Sequence, residues 1–145
     1  MNGQTIALLG IALCVLCCGT GSALALFKTG QVASGVLSED GKKFAKVLIL
    51  AVLPATQGIY GFVLAIIASG GVTPDMTTME GLKIVMATLP LTIVGFTSAL
   101  FQGLTSVSAI LAVAKDESIS GKLILFPAMV ETYAILSLVI SIMLL

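Results

Sequence analysis

Residues 126–145, FPAMVETYAILSLVISIMLL, form an almost wholly apolar run with one carboxylate, Glu131, inside it. As a helix rising about 1.5 Å per residue, this run spans roughly 30 Å, the thickness of a bilayer's hydrocarbon core. In lipid the backbone has no water to bond, so a run of this length folds as a helix that satisfies its own amides. Ionising an acid at that depth costs from about 3 to more than 10 kcal/mol. A carboxylate left alone there takes up a proton or holds a cation. Such a residue is read first as a functional group.

The rest of the chain belongs to the same solvent. It is 145 residues long, 58% hydrophobic and only 10% charged, with a mean hydropathy of +1.17. That composition places it among membrane proteins, as one membrane domain over residues 1–145. Spanning helices are expected at about 4–27, 46–69, 84–114 and 123–144, so the fold class is an all-α membrane protein with four transmembrane helices. Seven lysines balance seven acids, with no Arg or His, and no basic cluster points to nucleic acid. The first run lacks a preceding positive charge and exceeds a signal core, so it reads as a retained span. Lys28 follows that span and reads as an interfacial, snorkelling residue.

Three polar turns separate the spans: SEDGKK at 38–43, GGVTPDMTTMEG at 70–81 and KDESISGK at 115–122. Thr77 and Glu80 fit a capping box for the third helix. Lys28, Lys42, Lys43, Lys46, Lys115 and Lys122 flank the first and third turns. The positive-inside rule then puts loops 28–46 and 115–122 in the cytosol and both termini outside a cell membrane. Gly3, Ala7, Gly10, Cys14, Cys17 and Gly21 make a small face on the first helix, and Gly95, Ala99 and Gly103 make one on the third. Such faces let backbones approach closely, within one bundle or between copies. Cys14, Cys17 and Cys18 have no polar surroundings and read as soft packing residues rather than a metal or redox centre.

The chain repeats weakly at an offset of 74 residues. Gly21, Ala25, Leu26 and Phe27 fall on Gly95, Ala99, Leu100 and Phe101, and Gln57 falls on Glu131. Two duplicated hairpins result, at about 1–71 and 75–145. One keeps an acid where the other has an amide. Pro54 interrupts the second helix by removing a donor and bending the backbone. Leu53, Thr56, Gln57 and Tyr60 share one face of it.

Counting from the lysines sets the depths of the polar side chains. Gln57 lies about 17 Å from Lys46, Gln102 roughly 20 Å from Lys115 and Glu131 about 14 Å from Lys122. All three therefore sit near mid-membrane. One carboxylate, two amide oxygens, a hydroxyl from Thr56 and a disturbed backbone are oxygen donors, which suit a hard cation. A single negative charge suits a monovalent one. Glu131 alone suffices for a proton, so the extra oxygens favour Na⁺ over H⁺. Tyr60 can hydrogen-bond the carboxylate and hold it ionised.

The segments LPATQGIYGF at 53–62, ALFQG at 99–103 and MVETYAIL at 129–136 resemble the rotor-ring proteolipid, or K, subunit of bacterial and archaeal V/A-type ATPases. The resemblance covers essentially the whole chain. It implies a homo-oligomeric ring of copies among membrane lipids, with helices one and three inside and two and four outside. It implies Na⁺ held by Leu53 through its carbonyl, Thr56, Gln57, Gln102 and Glu131, with Tyr60 bonding the carboxylate. It also implies a stator subunit with an essential Arg, a cytosolic central-stalk subunit and ATP hydrolysis on other subunits. This chain has no nucleotide motif and is not expected to be an enzyme by itself. The competing reading is a small proton-coupled antiporter with a membrane Glu. Against it, Trp is absent and Tyr133 is the only aromatic within a turn of Glu131 in sequence.

Overall fold

A computed structural model describes residues 2–145. The first helix, α1 (Gly3–Glu39), starts where the Asn2 side chain accepts the Thr5 N–H at 3.0 Å. That bond satisfies one of the free amides of a helix start. Asp40 ends α1 and opens a 3-10 turn at Gly41–Lys43. The return helix comes in two pieces, α2 (Phe44–Val52) and α3 (Thr56–Ser69), joined by a 3-10 turn over Leu53–Ala55. Pro54 has no N–H and cannot continue the α ladder there.

The second hairpin repeats this plan. Helix α4 (Thr78–Lys115) begins with the full capping box between Thr77 and Glu80. Asp116 plays the part of Asp40, its side chain accepting the Ser118 N–H at 2.9 Å. The Ser118 hydroxyl and amide hold the Asp116 carboxyl below its ordinary value. Short α5 (Ser120–Leu123) and long α6 (Leu125–Leu144) complete the return, with the break at Ile124, just before Pro127. Among the described residues, four helical segments are long and apolar enough to cross a membrane: Gly3–Glu39, Gly41–Ser69, Thr78–Lys115 and Glu117–Leu144.

Helices α1 and α4 run side by side as the backbone of the bundle, with α3 and α6 packed on them. Their small faces meet each other within one chain. A Cβ added to Gly103 would lie 2.7 Å from the Ala25 Cβ, and one on Gly81 would strike the Gly3 backbone. Pro90 leaves α4 unbroken, and the neighbouring Leu91 N–H donates to Ser141 Oγ at 3.4 Å.

Two sequence expectations change in detail. Cys18, not Cys17, belongs to the buried stripe of α1, together with Cys14 and Gly21. The helical steps of four and three run from Cys14 to Cys18 to Gly21, and Cys17 falls half outside. Lys28 does not follow the first helix. It lies exposed within α1, about 17 Å short of the helix end at Glu39.

The turns after α1 and α4 sit together at one end. Lys43 Nζ donates to the Ala114 carbonyl at 2.7 Å, and Lys46 pairs with Glu117 at 3.1 Å. The outer faces of the bundle are apolar, with Phe27 62% and Phe101 61% exposed. A single copy in water would leave that surface uncovered; lipid or further copies would cover it.

Candidate functional site

The break at Pro54 sets up the site. Where the ladder tightens to a 3-10 turn, the Leu53 carbonyl accepts the Thr56 N–H and also the Thr56 hydroxyl, the latter at 3.1 Å. Thr56 Oγ1 lies 3.4 Å from Gln57 Oε1. The oxygens of Leu53, Thr56 and Gln57 are thus carried by one turn and the start of α3.

Gln57 and Gln102 are both fully buried. Gln57 Nε2 donates to Gln102 Oε1 at 2.7 Å. Gln102 Nε2 in turn donates to Glu131 Oε2 at 3.2 Å and to the Pro127 carbonyl at 3.1 Å. Tyr60 donates its phenol to the other carboxylate oxygen, Glu131 Oε1, at 2.6 Å. One continuous network therefore joins Leu53, Thr56, Gln57, Tyr60, Gln102 and Glu131 across α3, α4 and α6. Each carboxylate oxygen has one donor, and both donors are neutral. No Lys lies in the network, so its net charge with Glu131 ionised is that of one carboxylate.

The burial is graded. The two amides sit in the interior, while Glu131 and Tyr60 are half-buried at the rim between α3 and α6. A carboxylate accepting two well-directed bonds has lone pairs left over. Those lone pairs and the oxygens of Thr56 and Gln57 are hard ligands in a network with one negative charge; the Leu53 carbonyl joins them only when the Thr56 hydroxyl turns off it. That set suits a monovalent cation. Tyr133, the aromatic nearest Glu131 in sequence, is 66% exposed and makes no hydrogen bond in this network.

Three polar contacts were not singled out in the sequence. The Pro127 carbonyl anchors Gln102; its signal was the repeat, which sets Pro127 opposite Leu53. Ser22 Oγ accepts the Gly58 N–H at 2.9 Å, and Thr29 Oγ1 donates to the Ala51 carbonyl at 2.8 Å. Both hydroxyls tie α1 to the broken return helix, one on each side of Pro54. Their seven-residue spacing on the small face of α1 was the available cue.

Four membrane-length helices in two proline-broken hairpins, closing on one carboxylate at mid-length, define an ion-carrying membrane protein. The chain belongs to the ATP synthase C-subunit family, which it matches twice, at residues 9–68 and 85–144, once in each hairpin. It is 39% identical over 143 residues to the V-type sodium ATPase subunit K of Enterococcus hirae, covering 99% of this chain and 92% of that protein. It is 37% identical over 139 residues to the A-type ATP synthase subunit K of Methanocaldococcus jannaschii, covering 94% of this chain and 60% of that longer protein.

The double match accounts for the weak internal repeat: the fold is a duplicated hairpin, each copy matching the family on its own. The family is that of the ion-translocating proteolipids of rotary ATPases, which are not themselves the catalytic subunits. The chain is accordingly a multi-pass membrane protein, and the antiporter reading is set aside.

Proposed function

We propose that this protein carries Na⁺ on Glu131 as a ring of copies turns in the membrane. The ion is held by the Glu131 carboxylate, Gln57 and Gln102 through their amide oxygens, the Thr56 hydroxyl and the Leu53 carbonyl. Tyr60 fixes the carboxylate from the rim. The observation that supports this reading best is the network itself: a carboxylate clamped by a phenol and an amide, beside a proline-broken turn that presents further oxygens. A proton carrier needs only the acid. The sodium ATPase subunit from Enterococcus hirae, 39% identical, points the same way.

The mechanism follows from charge. With Na⁺ bound, the site is neutral overall and can pass through lipid without the cost of a bare carboxylate. At a stator subunit, a fixed Arg competes for Glu131 and displaces the ion into an aqueous path. Moving one charge across the membrane involves about 2.3 kcal/mol per 100 mV, so several ions move for each ATP handled elsewhere. The half-buried position of Glu131 suits this exchange, because the carboxylate is reachable from the side while the two amides stay packed.

The turns at 40–43 and 116–119 lie at one end with Lys42, Lys43, Lys46, Lys115 and Lys122 around them. The positive-inside rule puts that end in the cytosol, facing a central-stalk subunit, and both termini outside.

Equilibrium binding of radiosodium to the detergent-purified oligomer tests the proposal. Saturable binding of one ion per chain is expected, abolished in Glu131→Gln. Saturable binding that survives Glu131→Gln would place the ion elsewhere.

A further inference from the structure

One turn beyond Gln102 on α4, towards the end that carries most of the lysines, lies Ser106. It is fully buried, and its Oγ is the one buried side-chain oxygen or nitrogen among the described residues without a hydrogen-bond partner. Its neighbours behave differently. Thr105 donates to the Phe101 carbonyl at 2.8 Å and Ser108 to the Leu104 carbonyl at 3.2 Å, each one turn back on its own helix. Thr92 and Thr97 on the same helix do likewise. That back-bonding is the ordinary resting place of a hydroxyl in a helix. The Ser106 hydroxyl, covered in the packed interior, makes no such bond.

What lies at its level in the bundle is partly polar. The contact of Gly103 with Ala25 sets the register of α4 on α1, and one turn further on each helix are Ser106 and Thr29. Thr29 is itself fully buried and bonds the Ala51 carbonyl. Leu50 packs in one cluster with Ala109 and Ile110, the next turn of α4 after Ser106. Its carbonyl is the one that Pro54, four residues on, cannot serve with an N–H. Because Ser106 is wholly covered within a single chain, neither lipid nor a second copy can reach its hydroxyl.

We propose that Ser106 holds a buried water between α1, α2 and α4, donating or accepting at the Ser106 hydroxyl and bonding the Leu50 carbonyl beside Thr29. A buried water of this kind needs two or more polar partners, and these groups supply them. Its position links α4 to the turn that presents the Leu53 and Thr56 oxygens, so it props that turn from the cytosolic side.

Two measurements test this. A high-resolution cryo-electron microscopy map of the unmodified ring should show a water peak within hydrogen-bonding distance of Ser106 Oγ. A map of that quality with the hydroxyl bonded back to the Gln102 or Gly103 carbonyl, and no peak, overturns the proposal. The second arm rests on the ligand set proposed above. Ser106→Val, which fills the space with a methyl, should raise the Na⁺ concentration that half-saturates the ring by about three- to tenfold, as expected for one lost hydrogen bond. Ring assembly should be retained. Unchanged Na⁺ affinity in an assembled Ser106→Val ring overturns the link to the ion site. A water peak with unsaturable Na⁺ binding would instead contradict the sodium reading while leaving the water site intact. Should Ser106→Val fail to assemble, the map of the unmodified ring still decides.

Discussion

Gln102→Ala is the most informative single change. Gln102 is fully buried and makes three hydrogen bonds: it accepts from Gln57 at 2.7 Å and donates to Glu131 at 3.2 Å and to the Pro127 carbonyl at 3.1 Å. Truncation strands the Gln57 amide and the Pro127 carbonyl, which lose about 1 kcal/mol each whether or not an ion is present. The bond to Glu131 is different, because it acts on a charged group and is worth about 1.5–3 kcal/mol. It favours the ionised carboxylate, the form that takes Na⁺, over the protonated one, so this part, together with the lost ligand oxygen, separates the Na⁺-bound from the protonated site. It corresponds to a weakening of Na⁺ binding by about 10- to 150-fold. The assay is radiosodium binding to the purified ring, with ring mass followed in parallel. An intact Gln102→Ala ring whose Na⁺ affinity moves by less than about twofold would refute the reasoning, since a charged bond cannot be lost so cheaply.

Tyr60→Phe removes the 2.6 Å bond to the other carboxylate oxygen at the half-buried rim. Na⁺ affinity should fall by about three- to tenfold, less than for Gln102→Ala because water can replace part of the bond. Gly103→Ala places a methyl 2.7 Å from the Ala25 Cβ, so the isolated ring should dissociate at lower temperature, by about 1–3 kcal/mol of packing strain per chain. Glu117→Gln breaks a pair with Lys46 whose side chains are 42% (Lys46) and 53% (Glu117) exposed. Thermal dissociation of that variant should match the parent's, since exposed pairs contribute little.

Much of this architecture is legible in the residues because the bilayer permits so few solutions. Four runs of the right length had to be helices, and rise per residue alone set Gln57, Gln102 and Glu131 at one depth. Two glutamines and an acid at a common depth, on helices that pack together, find each other. Less legible was the boundary of α1. A lysine after an apolar run reads as an interface marker, yet residues 29–39 contain no Pro and continue the helix to Glu39. The choice between Cys17 and Cys18 turned on a step of three or four, which small residues on both positions leave open. The Pro127 carbonyl and the Ser22 and Thr29 contacts were hidden for a different reason. They are backbone and capping interactions made at proline breaks, and no residue type advertises which helix will supply the partner.

Carbodiimide labelling of Glu131 in the detergent-purified ring tests the sodium assignment most directly. At a fixed pH near neutral, added Na⁺ should slow labelling in a saturable way, because a bound cation shields the carboxylate. Labelling that follows pH alone, with no effect of Na⁺ at any concentration, would contradict the assignment and make Glu131 a proton carrier.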